Sequence, residues 1–568
     1  MIFMTEDKVT RRGYVKYAAA GIVVVAGGAA GAYYATRPSE PTSTVTTTSA
    51  MTSAMTSAMP EEKKKMLVMA RIFDSVSFDP QWTFELTSAA INPFVYDSLL
   101  QYDPEALREH KLKVVGRLAK SWEVSPDKKV HTYYLNEGAK FYPTGNPADA
   151  SAVKFSFDRG WNLQGPPSPF FKPVEKTEVL DDQTVRITLK APYGPWDYFL
   201  STQYSAIIDP AAMEHEDNGD MGSAWLNDHS AGSGPFYMDH WTREKEVMLV
   251  RNPSYWGEAP KVEKVLILNV PELAVQQMML EKGDIDIAMS LTPDQGATYE
   301  TSGRTDIVTE RPPSFWMSVL QFNCNTKPLD DVKVRQAIKW ALDYEGILQN
   351  IPQGHGRIIQ TFLEYGMDIF DDSLQKDLEK MNYHRDLDKA KALLKEAGYA
   401  DGFTIQINHQ PGVSLNTRWE DLALKIAQDL SEVGITCEPR LWDAGALVSQ
   451  VFEGKMPGLT VLLWGADWPD PDEFAELWMT QWGRDVNQWK PGKELEQRMD
   501  DLVAAAKIEI DFEKRKKLYK DLAQIMLEQG TFHVMYQPDE LLARRSYVKD
   551  FIFGTFWFSP LLNYAYKE

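Results

Sequence analysis

The residues best suited to chemistry lie in one short run, LLWGADWPDPDEF, where Asp467 stands between Trp464 and Trp468, with Asp470, Asp472 and Glu473 close behind. A carboxylate drawn partly out of water forms strong charge-assisted hydrogen bonds with a cation, and flanking indoles cover apolar side chains or stack on sugar faces. The same letters also read as a plain turn opened by Asp467, with the tryptophans in the core. DPDE lacks the oxygen-ligand spacing of a calcium loop and reads as a turn with a helix cap, so no metal is expected there. Trp442, Trp316, Phe322 and Tyr536 are secondary candidates, because each falls near a strand end or crossing, where clefts form. Catalytic signatures are missing: no Gx4GK[ST] phosphate loop, no HExxH pair, no GxSxG elbow, and nine scattered histidines. The pattern points to binding without turnover and without a cofactor. A glycoside hydrolase built on two distant carboxylates is an alternative.

The elements that must position these residues alternate between helix and strand. VHTYYLNEGAKFYP and TVRITLKAPY alternate as strands around 130–142 and 184–193, and ADASAVKFSFDRG between them reads as a helix entered through Asp149. FYMDHWTREKEVMLVRNPSYWG reads as a hairpin, VEKVLILNV as a strand, and PELAVQQMMLEKG as a helix. DDVKVRQAIKWALDYEGILQNI puts Val334, Ile338, Ala341 and Leu342 on one helical face, and LDKAKALLKEAG supplies a second helix. WEDLALKIAQDLSEVGITCEPRLWD is helix, glycine turn and strand; GLTVLLWGADWPDPDEF is a buried strand that ends in the candidate loop. A helical run from Glu494 to Leu527 and an aromatic tail imply that the chain returns to an earlier sheet, which argues for discontinuous lobes.

With 568 residues the chain exceeds the size of a single core, so two or more lobes are expected. Its 60 basic against 81 acidic residues give a net charge of -21, which repels a phosphate backbone, so nucleic acid is not an expected partner. Cys324 and Cys437 are the only cysteines, far apart and outside any CxxC pair, and imply no disulfide scaffold. Residues 17–36, YAAAGIVVVAGGAAGAYYAT, carry no formal charge and follow Lys8, Arg11, Arg12 and Lys16, which marks an export signal or membrane anchor. TRRGYVK resembles a twin-arginine export signal, and no cysteine follows to take a lipid anchor. From Pro38 to Pro60, fifteen of twenty-three residues are Ser, Thr or Pro, a stalk that cannot assemble an apolar face; folded sequence resumes at Met66.

Over roughly 66–560 the ordered motifs resemble family 5 of the extracellular solute-binding proteins, the receptors of peptide and nickel ABC importers. The block LAKSWEVSPDKKVHTYYLNEGAKFYPTGNPADASAVKFSFDR is similar to the family's strand, turn and helix, with Trp122, Gly138, Phe141, Gly145 and Arg159 in recognisable places. GSGPFYMDHW, LVRNPSYWG, MMLEKGDIDIAMSLTPDQ and LQFNCNTKPLDDVKVRQAIKWALD follow in the family's order. The family's frequent His-Asp-Gly triplet is absent: Tyr142, Pro143 and Thr144 precede Gly145. Locally, Gly232 and Gly234 read as turn dihedrals before Pro235, and Asn252-Pro253 as a turn against Tyr255 and Trp256.

The resemblance implies an α/β, periplasmic-binding-protein-like fold with two lobes joined by a hinge and an additional small domain. Residues 1–16 would be a charged export region, 17–36 the hydrophobic signal or anchor and 37–65 the stalk. Lobe I would hold 66–104, 211–320 and 535–568, the small domain 105–210, and lobe III 321–534. In peptide-binding relatives an aspartate at the position of Asp467 pairs with the peptide's α-ammonium, and the tryptophan at Trp464 shapes the pocket. The implied function is capture of an oligopeptide, or alternatively an oligosaccharide, by a monomer that delivers it to ABC permease subunits with separate ATPase subunits. The N-terminal segment would hold it to the membrane if uncleaved. A surface adhesion protein is the remaining alternative.

Overall fold

The structure, a computed structural model, describes residues 59, 61–83, 86–554 and 560–568. The twin arginines, the apolar segment 17–36 and nearly all of the stalk lie outside the described residues. Among the described residues no helix is long and apolar enough to cross a membrane.

The apolar run at Met66 forms the strand Met66–Arg71, the centre of a seven-stranded sheet. It runs parallel to Lys264–Asn269 on one side and Ile287–Ala288 on the other. Lys264–Asn269 continues antiparallel into Glu246–Arg251 and Phe236–Thr242, the hairpin expected from alternation. Buried Leu67, Met69, Val265 and Ile267 join one apolar cluster on this sheet, as expected for neighbouring strands whose inner faces pack together.

Between the first and second strands of that sheet the chain builds an antiparallel four-stranded sheet of Ala119–Val124, Val130–Leu135, Thr184–Leu189 and Val174–Asp181. The helix Ala150–Asn162 packs on it, and Asp149 caps its start by accepting from the N–H groups of Ser151 and Ala152 at 2.9 and 3.1 Å. Arg159 on this helix is fully buried and reaches Asp79, with Nη2 2.7 Å from Oδ2, and Gln81 at 3.0 Å. It therefore ties the small sheet's helix to the segment that follows the first strand.

A second large sheet has six strands in the order Gly356–Arg357, Phe532–Pro538, Trp316–Phe322, Leu459–Gly465, Phe403–His409 and Ile435–Leu441. The chain crosses between the two large sheets at 311–315 and at 539–541, not at the 320/321 and 534/535 boundaries read from the sequence. The reason is pairing: Trp316–Phe322 and Phe532–Pro538 are neighbours along their lengths in the second sheet, so neither strand can be divided between lobes. Leu542–Arg545 then enters the first sheet between Ile287–Ala288 and Ile307–Glu310. The two crossing segments run side by side, with Pro313 bridged to Asp539, the Glu540 N–H donating to the Pro312 carbonyl at 2.9 Å, and Ser314 Oγ donating to the Pro538 carbonyl at 2.5 Å.

Two long helical patterns are interrupted by caps. Val334, Ile338 and Ala341 are buried on the helix Val332–Ala341, but Leu342 leaves it with extended dihedrals, and Asp343 caps a new helix, Tyr344–Asn350, through the Gly346 N–H. The run from Glu494 likewise splits into Lys493–Ile508 and Phe512–Gln529, the second capped by Asp511. Gly232 and Gly234 do not take left-handed dihedrals; they permit close approach, since a Cβ on Gly232 would lie 2.0 Å from the Val95 carbonyl oxygen. Asn252 does open a turn, accepting from the Ser254 N–H at 2.9 Å while donating to the Gly234 carbonyl at 3.0 Å. Cys324 and Cys437 are both free.

Candidate functional site

The candidate loop is delivered by Leu459–Gly465, a strand enclosed between Trp316–Phe322 and Phe403–His409, which explains why it is apolar on both faces apart from Thr460. At its exit Trp316 pairs with Gly465, and Met317 with Trp464. A Cβ on Gly465 would lie 2.5 Å from the Trp316 ring, so the glycine lets that indole fold over the strand end. Trp464 is fixed edge-on by Phe452 at 5.7 Å and by Trp478 and Trp482, each at 6.0 Å between ring centres.

Beyond Gly465 the acids take separate tasks. Asp470 accepts from the Asp472 N–H at 3.0 Å, closing the DPDE turn that leads into the helix Asp472–Met479, whose N-cap position is Pro471 with no side-chain cap. Its carboxylate is also held by both terminal nitrogens of Arg515, each at 2.7 Å, which spends its charge within the scaffold. Among the described residues no acid or histidine cluster fit to hold a metal occurs.

Asp467 and Asp472 instead meet the small domain. The Tyr204 hydroxyl donates to Asp467 Oδ1 at 3.2 Å, and the Tyr193 hydroxyl donates to Asp472 Oδ2 at 3.0 Å. Between them the Trp468 ring enters the small domain's aromatic core, with its centre 4.8 Å from that of Phe170 at an interplanar angle of 77°. Its indole N–H turns back to Asp472 Oδ1 at 2.8 Å. The loop thus belongs by chain to the six-stranded sheet and by packing to the four-stranded one.

Burial sets the electrostatics. It pushes the Asp467 carboxyl up to about 7, against the opposing hydrogen bonds from Glu473 and Tyr204. Glu473, whose Oε2 accepts the Asp467 N–H at 2.7 Å, is raised well above the usual carboxylate range by burial and then by the charge of Asp467. Two carboxyl groups this close cannot both ionise cheaply, so Glu473 keeps a proton and Asp467 is the one to carry charge. Asp472 is also raised to about 7, by burial and then by repulsion from Asp470.

These groups face a cavity of about 1250 Å³ enclosed by both large sheets and the small domain. Its wall is mainly apolar, formed by Met69, Phe170, Trp316, Trp419, Trp464 and other side chains of the three bodies. Cations reach it too, but Arg71 donates to the Thr87 carbonyl at 2.8 Å and to Ser75 at 2.9 Å, and Lys507 pairs with Glu476.

Of the seven residues read from the sequence as ligand contacts, Asp467, Trp464, Trp468 and Trp316 share this cavity. The other three stand apart from its wall. Phe322 is fully buried at the far end of the strand that Trp316 begins, Tyr536 is buried with its hydroxyl 2.8 Å from Thr417 Oγ1, and Trp442 donates to Asn408 at 2.9 Å. Tyr193, Tyr204 and Arg515 were not legible as partners of the loop, because nothing in their local patterns connects them to residues so distant in the chain. Glu473 was visible as an acid, but its place beside Asp467 follows only from the turn that starts the helix.

A family model described as bacterial extracellular solute-binding proteins, family 5 middle, matches residues 113–485. The chain is 29% identical over 509 residues to a probable D,D-dipeptide-binding periplasmic protein of Escherichia coli, covering 89% of this chain and 93% of that one. It is 28% identical over 501 residues to the dipeptide-binding protein of the same organism, covering 81% and 89%. Among solved structures, a dipeptide-binding protein of Pseudoalteromonas in complex with Met-Leu superposes with a TM-score of 0.76 at 23% identity, covering 89% of this chain and all of the other.

Proposed function

Because the chain belongs to the bacterial extracellular solute-binding proteins of family 5, which are receptors and not enzymes, we propose that it captures a short peptide and holds the α-ammonium group on Asp467. The observation that carries this reading is the placement of Asp467: a nearly buried carboxylate on the wall of a large, mainly apolar cavity, supported by Tyr204 and relieved of a second charge by protonated Glu473. An ammonium there gains a charge-assisted hydrogen bond in a low dielectric, and peptide side chains lie against Trp464, Trp316 and Phe170.

The seven-stranded sheet is lobe I, the four-stranded sheet the small domain and the six-stranded sheet lobe III, hinged at 311–315 and 539–541. Closure about those segments buries the ligand and presents the receptor to permease subunits, with ATP hydrolysed on separate chains. Residues 1–36 act as a twin-arginine export signal or, uncleaved, as a membrane anchor, and 37–65 form the stalk.

Calorimetry on the 66–568 body tests the assignment, comparing short peptides, their N-acetylated forms, and α- and β-linked oligosaccharides. Free peptides should bind, acetylation should cost at least tenfold, and Asp467→Asn should remove the difference. Equal binding of free and acetylated peptides would sink the Asp467 contact. Binding of the sugars alone would transfer the aromatic wall to an oligosaccharide.

A further inference from the structure

Five acids line the cavity: Asp467, Asp472, Glu473, Glu476 and Glu540. Four have partners. Asp467 receives Tyr204, Asp472 receives Tyr193 and Trp468, Glu473 receives the Asp467 N–H, and Glu476 pairs with Lys507. The Glu540 carboxyl differs from these. It is 4% exposed, and among the described residues it makes no hydrogen bond or ion pair. Its neighbour Asp539 is engaged by Arg357 at 3.2 Å, so no cation is shared with Glu540.

An unpartnered carboxyl on an apolar wall is costly wherever it gains nothing in return. We propose that Glu540 is a second anchor of the cavity, which accepts from a cationic nitrogen of the ligand, an ammonium or guanidinium separate from the one at Asp467. The inference rests on the peptide reading and narrows it to peptides that carry a basic side chain. Burial, followed by the nearby charge of Asp539, holds the Glu540 carboxyl well above the usual carboxylate range, a shift that a ligand cation beside it offsets. The position gives the contact a mechanical consequence as well. Glu540 lies in the crossing segment whose N–H binds the Pro312 carbonyl of the opposite crossing at 2.9 Å, so a ligand held there touches the segment about which the lobes turn.

The test uses a tetrapeptide panel with lysine exchanged for norleucine at each position in turn, measured by calorimetry on the wild-type body and on Glu540→Gln. Glutamine copies the shape of the neutral acid, and an unchanged melting temperature verifies that the variant folds. At one position lysine should bind tenfold or more tightly than norleucine, and Glu540→Gln should erase that preference while norleucine affinity stays the same. Where peptides bind, a lysine preference that survives in Glu540→Gln, or no preference at any position, overturns the proposal. A second arm compares α,ω-diamines of increasing length with the matching monoamines. If no peptide binds but diamines surpass monoamines only in the wild type, the peptide reading fails and the Glu540 anchor stands. If the diamines show no advantage lost in the variant, the anchor fails with it.

Discussion

Trp468→Ala separates a closing receptor from a rigid one. The indole is 3% exposed and lies between Phe170 and Phe199 of the small domain, yet its backbone follows a strand of lobe III. The four-stranded sheet is inserted in the chain between Met66–Arg71 and Phe236–Thr242 of the seven-stranded sheet, so on the proposed hinge it travels with that sheet and leaves Trp468 behind. Burying roughly 200 Å² of indole at about 25 cal/mol per Å² favours the closed form by about 5 kcal/mol at most. Truncations of buried tryptophan cost about 3–5 kcal/mol, so about 3 kcal/mol is a fair lower figure. If that energy is gained only on closure, peptide affinity falls about a hundredfold, at about 1.4 kcal/mol per factor of ten. The ligand-free melting temperature moves by less than about 2 °C, since the open form never had the contact. Calorimetry and differential scanning on the same preparation measure both quantities. A large fall in ligand-free melting temperature with affinity unchanged within about threefold would refute the reasoning, because it would make Trp468 a permanent core residue.

Four further outcomes follow from three side chains. Asp467 has a folded-state pKa raised from 3.8 to about 7, so its contribution to ligand-free stability is complete below about 4 and is lost as pH rises towards 7; denaturant titrations across that range should show the fall, and Asp467→Asn should flatten part of it. Binding of an α-ammonium has the opposite slope, tightening as Asp467 loses its proton, and calorimetry at pH 6 and pH 8 should give the tighter constant at about pH 8. Arg159→Ala should lower unfolding free energy by about 3–5 kcal/mol in urea titrations, since it strands the fully buried Asp79, and Asp79→Asn added to it should recover part of the loss. Asp294→Asn breaks the bridge from lobe I to Arg418 and Gln353 of lobe III, but the pair is largely exposed, so affinity should change by less than about fivefold and the effect should vanish in high salt.

How much of this was legible in the sequence depends on the range of the interaction. Asp149 was readable as a cap and Asp470 as a turn acid because the N–H groups they bind lie within three residues. Trp316 and Phe322 show where a strand pattern stops being informative: a separation of six residues puts both on one face, but the strand carries them about 20 Å apart, and the cavity opens at only one end. Alternation names the face and is silent about the end. The partners of the acidic loop were beyond any local pattern, since Tyr204 meets Asp467 across 263 residues and Arg515 meets Asp470 across 45. The chemistry of the site is assembled at that same range. Asp467 is an ordinary turn acid until the helix-start turn sets Glu473 beside it and Tyr204 comes across from the small domain, into whose aromatic core Trp468 is also seated. On the proposed reading, affinity for an ammonium and closure of the lobes are not independent: Tyr204 reaches Asp467 from the small domain, so the contact that helps bury the carboxylate is one that closure itself makes.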